Sequence, residues 1–500
     1  MRERASPRRP AAEPLLVALL AGAAGVAGSF AVAGFTPAFV AGPIAGALAR
    51  RLPAAIVTFS ILVLGDLGEQ LNVLLSLGLA TGLLGLPSFV GRAIGERVGR
   101  ASAGSAVAAV GGTAVAFFVT AAPLPSLVAG LAVGAVHVLA SLGAATVPAG
   151  GVSSVRRGVI AGAVGTLAFT LGGYALGSRA GPRPAADAGG GDEDPPTVQA
   201  DIEAKLELAA ERSLDVAGLE PLVSDEFYTV DINATDPALA ADDWTLSVTG
   251  AVDEPLSYSY DDVRARDAEH RFVSLRCVGE ALNGRKMDNA LWTGIPLMDL
   301  VEPAGVSEGC CVMLRAADGF YEEFPLAALR DGFLAYGMNG GVLPRAHGHP
   351  ARALIPGHWG EINVKWLTEV EVLEREAEGY WEKRGWHGTG PVNTVAKLHA
   401  QNRLDDGRLE VGGHAYAGTR GIESVEVSTD GGGTWAEAVL SAPLPGDDVW
   451  RQWVYRYDPP AGAHEVVVRA TDGTGALQPR ERASAFPSGP TGWVSRTVRS

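Results

Sequence analysis

Hydrophobic positions along this chain fall into two regimes. Up to about residue 180 they form long unbroken runs; beyond residue 221 they come in short blocks broken by Gly and Pro. Runs near 15–35, 70–91, 103–122, 124–147 and 157–178 are each long enough to cross a bilayer, which takes about 20 apolar residues. They predict a domain of five transmembrane helices over 1–180. A sixth run, 53–68, is short and ends in Gly65-Asp66-Leu67-Gly68-Glu69, which predicts an interfacial or re-entrant segment. Residues 181–197 are rich in Gly, Pro and acids, the composition of a flexible linker. Residues 199–215 predict a short amphipathic helix, so linker and helix together occupy 181–220. The segment 221–388 mixes short strands with turns. After about 390, apolar and polar residues alternate, as in 421–428, 450–457 and 465–470, and a β-sandwich is predicted over 389–500.

Charge separates the same halves. Residues 1–184 contain no Lys, 13 Arg and 5 acids, a formal +8, while the remainder carries −24 within a whole-chain charge of −16. The acidic part excludes nucleic acid as a partner, because phosphate binding needs a basic stripe. With five spans, Arg2, Arg4, Arg8 and Arg9 share one side with Arg92, Arg97, Arg100, Arg156 and Arg157. Positive residues stay cytoplasmic. This places the N-terminus inside, the chain after about residue 180 outside, and the protein in the cell membrane as a multi-pass protein. The run Ser154-Val155-Arg156-Arg157-Gly158-Val159-Ile160 resembles a twin-arginine export signal, or is an ordinary positive-inside pair. The membrane half has one histidine, His137, whereas a transmembrane haem needs two axial ligands. No haem is expected, and His137 reads as a packing residue.

Three cysteines are too few for a disulfide framework. Cys310 and Cys311 read as buried strand residues. Cys277 ends an apolar strand and enters a Gly-containing loop with Arg285 and Lys286 close by. Nearby positive charge and loop amides lower a thiol's pKa. On these residues alone Cys277 stays open between buried structural cysteine, metal ligand and nucleophile. A second block, 334–367, spreads His347, Arg352 and Lys365 along Gly/Pro turns beside short strands. Arg forks and exposed amides suit a phosphorylated cofactor, although scattered surface cations fit the same pattern.

Together the blocks resemble the sulfite-oxidase family of molybdopterin enzymes. The first carries C-x-G from Cys277 and W-x-G-x-P-L from Trp292. The second carries A-Y-x-M-N-G-x-x-L-P-x-x-H-G-x-P-x-R-x-x-x-P-G from Ala335, then V-K-W-L from Val364. The run 425–435 and Arg469-Ala470-Thr471-Asp472 resemble that family's dimerisation domain, so the resemblance covers roughly 221–495. The membrane half is similar only to membrane-anchored prokaryotic members. The architecture implied is a transmembrane helical bundle, an α+β sulfite-oxidase-type molybdopterin domain over 221–388, and an immunoglobulin-like β-sandwich that dimerises.

The resemblance also implies roles. Cys277 matches the thiolate that binds molybdenum. His347 and Arg352 match residues holding the pterin and its phosphate, and Asn363, Val364 and Lys365 match a second cofactor-binding stretch. Tyr228, Thr229, Val230, Asp231 and Ile232 fall where the family wraps its first loop around the pterin. Tyr336 matches a tyrosine near the metal's open face. Thr229 stands where sulfite-oxidising members often carry Arg, and Arg285 is the candidate replacement cation. The implied reaction is oxygen-atom transfer with sulfite as default substrate. Alternatives are reduction of S-oxides or N-oxides, including methionine sulfoxide, or a membrane scaffold without cofactor. A quinone or separate redox protein is the expected electron partner.

Overall fold

The computed structural model describes residues 12–145, 154–178, 196–306 and 309–499. Arg2, Arg4, Arg8, Arg9 and nearly all of the 181–197 linker lie outside the described residues. The chain divides into two compact units. One takes Met1–Pro53, Gly65–Arg183 and Asp231–Ala238; the other takes Ala54–Leu64, Pro184–Val230 and Leu239–Ser500.

The first unit contains α1 (Ala12–Ala33), α2 (Ala41–Arg51), α4 (Asp66–Val98), α5 (Ala101–Thr120), α6 (Pro123–Ala145) and α7 (Ser154–Gly177). All but α2 are long and apolar enough to cross a membrane, five helices where the sequence predicts five, and they indicate a multi-pass membrane protein. Small residues bring these helices close: a Cβ on Gly22 of α1 would lie 1.9 Å from the Thr81 carbonyl oxygen of α4, so only Gly fits there. His137 on α6 hydrogen-bonds Ser88 Oγ at 2.9 Å, the helix-contact role expected for it. The sixth apolar run, 53–68, is broken. Most of it, α3 (Ala54–Phe59) with a π turn at Ser60–Leu64, belongs to the other unit, and its end opens α4.

After Ala54–Leu64, the second unit continues with α8 (Pro196–Arg212), close to the predicted amphipathic helix. Its strands are β1 (Thr245–Gly250), β2 (Leu256–Ser259), β3 (Glu269–Arg276), β4 (Met287–Pro296), β5 (Cys311–Ala316), β6 (Tyr321–Pro325), β7 (Phe333–Met338), β8 (Gly341–Val342), β9 (Arg352–Leu354) and β10 (Leu367–Leu373). One sheet runs β2-β1-β10-β5-β6, with β1 parallel to β10; a second runs β3-β4-β7-β8, with β9 on β7. Helical turns and mixed sheets together make this region α+β. β4 (Met287–Pro296) is buried along nearly its whole length, its polar Asp288, Asn289 and Thr293 included, since both sheet faces are covered. Cys310 and Cys311 form a vicinal disulfide at the start of β5, not the two free strand thiols the sequence suggests.

Past residue 390 come β11 (Val395–Ala396), β12 (Ala400–Arg403), β13 (Leu409–Tyr416), β14 (Ile422–Ser428), β15 (Ala436–Glu437), β16 (Val439–Leu440), β17 (Arg451–Tyr457), β18 (Ala463–Asp472) and β19 (Val494–Arg499). They form two antiparallel sheets, β11-β13-β17-β16 with β12 on β13, and β15-β14-β18-β19. This corrects the sequence expectation, because no closed immunoglobulin-like sandwich is seen. Strand alternation sets which face is buried, not what buries it. Here the core of these sheets is shared with Phe272, Leu291, Trp359 and Trp386 of the preceding region.

Candidate functional site

The loop between β3 and β4 carries Cys277. Arg276 and Met287 are the last paired positions of the hairpin, and the Cys277 N–H donates to the Lys286 carbonyl at 2.9 Å. Glu280 ties the loop down from inside. Its carboxylate takes Arg276 Nε at 2.8 Å, Lys397 Nζ at 2.7 Å and the Lys286 N–H at 3.1 Å. Lys397 Nζ also donates to the Gly284 carbonyl at 2.9 Å. Arg276 and Lys397 are fully buried and Glu280 nearly so. Asn283 completes the clamp through two hydrogen bonds to the Leu398 backbone, at 2.9 and 2.8 Å.

The thiol does not behave as its sequence neighbours suggest. Burial pushes Cys277 up to about 11, and Glu280 and Glu361 add to that; the Gly279 amide and Lys286 oppose it. The predicted depression is therefore corrected. The thiol lies among more negative charge than positive, in a place water reaches poorly. Arg285 is exposed, and the groups its charge reaches include His399, His414 and Glu220. Lys286, not Arg285, is the cation acting on the thiol.

The second block folds back toward the same loop. Arg352 on β9 is buried, donates to the backbone carbonyls of His347 (3.1 Å) and Asn363 (3.0 Å), and lies over the Trp292 ring at 5.2 Å. Lys365 Nζ donates to the Ala346 carbonyl at 2.9 Å. Asn363 is buried and pins the turn, accepting from the Ile355 N–H at 2.7 Å and donating to the Trp359 carbonyl at 2.9 Å. Val364 is buried in the core beside it. His347 is pushed down to about 3 by burial, then by Arg352 and Lys365. It is a neutral imidazole at pH 7, beside two cations, which is a setting that favours an anion.

Phe227 and Tyr228 link this block to the cysteine. Phe227 meets the His347 ring and the Trp292 ring, both at 5.5 Å, and stacks on Tyr228. Tyr228 is buried enough to raise its hydroxyl well above its ordinary value, and both Cys277 and Arg352 act on it. A Cβ on Gly360 would lie 2.8 Å from the Tyr228 hydroxyl, so the turn approaches the ring closely. Cys277, Tyr228, His347, Arg352, Asn363 and Lys365 thus share one neighbourhood. Thr229 and Val230 are exposed, and Asp231 and Ile232 fall in the other unit. Tyr336 is buried in a separate core, its ring 6.3 Å from Tyr260 and under Arg264.

Sequence reading missed Glu280, Lys397, Asp288 and Ile61. Ile61, from the π turn after α3, would lie 3.1 Å from a Cβ on Gly279, two residues past Cys277, and that Cβ would be 3.9 Å from the cysteine sulfur. Asp288 accepts the Tyr228 N–H at 2.7 Å, and burial pushes its carboxyl from 3.8 up to about 7. A raised carboxyl binds more protons folded than unfolded across that window, so its contribution falls as pH rises through it. Asp288→Asn is expected to flatten that part of the stability profile, measured by thermal unfolding from pH 4 to 8. An unchanged profile would assign the slope elsewhere.

Comparison with known proteins gives this neighbourhood a class. The family described as "Oxidoreductase molybdopterin binding domain" matches residues 233–381, and "Mo-co oxidoreductase dimerisation domain" matches 391–486. The chain belongs to the molybdopterin-dependent oxidoreductase family that includes the sulfite oxidases, here joined to membrane-spanning helices. It is 33% identical over 150 residues to the uncharacterized oxidoreductase YuiH of Bacillus subtilis, covering 29% of this chain and 74% of that protein. It is 29% identical over 297 residues to the mitochondrial sulfite oxidase of Homo sapiens, covering 49% of this chain and 54% of that one. It is 26% identical over 318 residues to the NADH nitrate reductase of Solanum lycopersicum, covering 49% and 35%. The chain thus spans about half the length of the sulfite oxidase and a third of the reductase.

Proposed function

We propose that this chain is a membrane-anchored molybdopterin-dependent oxidoreductase that transfers an oxygen atom to or from a small substrate, with sulfite as the default. The observation that carries the reading is the gathering of the Cys277 thiol, through Tyr228, with Arg352, Lys365 and neutral His347. The donor set fits the cofactor: one soft sulfur for the metal, and two cations with backbone-tethered geometry for a phosphate. When bound, molybdenum supplies oxygen-atom transfer coupled to two electrons. Cys277 would hold it as a thiolate, giving up its proton on binding. Arg352 and Lys365 would hold the phosphate, His347 would hydrogen-bond the pterin without adding charge, and Asn363 and Val364 would keep the turn rigid. Tyr228, with Thr229 and Val230 after it, would hold one side of the pterin. Arg285 is proposed to steer anions from the rim.

The second reading is a reductase of S-oxides or N-oxides. It is favoured by Thr229, which is not a cation, and by Arg285, which is exposed and not among the principal charges acting on the thiol. Sulfite-dependent reduction of an artificial acceptor, set against S-oxide-dependent oxidation of a reduced dye, separates the two. Sulfite is sunk as substrate if only the second assay turns over. Absence of molybdenum in correctly matured protein would leave the scaffold reading.

We further propose an extracytoplasmic catalytic part, a domain division at 180, 220 and 388, and a homodimer through 389–500. The wall that Ile61 makes beside Gly279 is apolar, and Ile56, Phe59, Leu62 and Val63 around it are exposed. That composition favours a quinone over a charged redox protein as electron partner.

A further inference from the structure

Three carboxylates from distant parts of the sequence converge in the second unit. Glu322 lies on β6, Glu361 in the 3-10 turn Gly360–Ile362, and Glu382 in the 3-10 turn Glu382–Arg384. One oxygen from each lies within 4.8 Å of the others. Glu322 is 0% exposed and Glu361 8%. Both Glu361 oxygens, both Glu382 oxygens and Glu322 Oε1 are buried with no hydrogen-bond partner. The remaining oxygen, Glu322 Oε2, accepts the Trp381 N–H at 3.2 Å. Five orphaned carboxylate oxygens in one spot are costly to bury, because each would keep a partner in water.

The surroundings are shaped around these side chains. A Cβ on Gly379 would fall 1.4 Å from Glu322 Oε1 and 2.5 Å from Glu382 Oε2. A Cβ on Gly388 would fall 2.1 Å from Glu361 Oε2 and 3.1 Å from Val278 Cγ2, on the residue after Cys277. Glycine at both positions leaves the carboxylates room to face one another. Glu361, nine-tenths buried, points into the group from behind the cysteine loop; the Gly388 amide faces its carboxylate, but neither oxygen has a well-formed hydrogen bond.

We propose that Glu322, Glu361 and Glu382 bind a hard divalent cation, calcium by preference, which locks β6 and two 3-10 turns together behind Cys277. Three carboxylates and no sulfur or imidazole select a hard ion over a transition metal. Calcium takes oxygens at about 2.3–2.6 Å, so two of its ligands can stand up to about 5 Å apart, compatible with the spread here. Without a cation, burial and mutual repulsion push the Glu361 and Glu322 carboxyls well up from their ordinary range, so protons are the competing occupants. The ion is distinct from the molybdenum proposed at Cys277 and does not rest on that reading.

The test uses the full chain purified in detergent, stripped with chelator and dialysed against 45Ca2+, with molybdenum measured in the same samples. Wild type is expected to bind one calcium per chain and to gain about 5 °C in Tm at saturation. Glu382→Gln, at the least buried of the three, is expected to lower calcium affinity at least about tenfold and to abolish the gain. Cys277→Ala is expected to keep the calcium while losing molybdenum, which separates this proposal from the cofactor reading. Tb3+ luminescence sensitised by Trp381 provides a readout on wild type should the variant not fold. The proposal is overturned if wild type binds neither Ca2+ nor Mg2+ at millimolar concentration. Binding unchanged in a folded Glu382→Gln overturns it as well. So does a Glu322→Gln/Glu361→Gln variant more stable than a calcium-insensitive wild type, since protons would then be the occupants.

Discussion

Cys277→Ala is expected to lower turnover by at least about a thousand-fold in whichever of the two oxygen-transfer assays the wild type supports. It is also expected to take molybdenum from about one per chain toward none. Arg352, Lys365 and His347 hold their geometry through backbone carbonyls that do not involve the cysteine. The residues proposed to hold the cofactor's phosphate would therefore keep their places when the sulfur is removed. On the proposed assignment, the metal would lose its one soft protein ligand. Folding should survive, because Cys277 fastens its loop through its backbone N–H to Lys286 and not through its side chain. A variant within about tenfold of wild-type turnover would sink the ligand assignment.

What the sequence reveals about this site follows from how local each feature is. His347, Arg352, Asn363 and Lys365 lie within 19 residues on turns set by Gly and Pro, so their spacing already carries their grouping. The five membrane helices are legible for a similar reason, since length and apolarity are properties of one segment. The environment of Cys277 is not local. Arg285 and Lys286 stand eight and nine positions away and suggested a lowered pKa. In space, burial and the acids Glu280 and Glu361 outweigh them. Glu361 is 84 residues from the cysteine, and no pattern along the chain joins the two. Ile61 is a stronger case. Hydropathy identifies its segment as short and irregular, but not that it packs against Gly279. The C-terminal sheets fail for a third reason. Alternation identifies their strands, while their shared core with Trp359 and Trp386 depends on residues outside the segment.

Glu280→Ala is expected to be among the most destabilising single changes in the second unit, by about 3–5 kcal/mol. The cost comes from what remains, not from what is lost. Arg276 and Lys397 are both fully buried, and Glu280 is the carboxylate that meets both, at 2.8 and 2.7 Å. Burial pushes Lys397 down to about 8 even with Glu280, the leading opposing influence, holding it up. Removing it leaves two like charges in a medium that solvates neither. Domains are stable by only about 5–15 kcal/mol, so the loss takes a large share of the total. Chemical denaturation of the full chain in detergent measures it, and a loss under about 1 kcal/mol would show that water reaches the cations. Replacing all three members with apolar residues, Arg276→Met/Glu280→Leu/Lys397→Met, is expected to recover most of the stability, because no charge then stays buried. It should not recover turnover. Lys397 also holds the Gly284 carbonyl and Glu280 the Lys286 N–H, the bonds that shape the loop bearing Cys277. A stable but inactive triple variant would therefore mean that the buried charges are kept for the position of one sulfur atom, not for the stability of the fold.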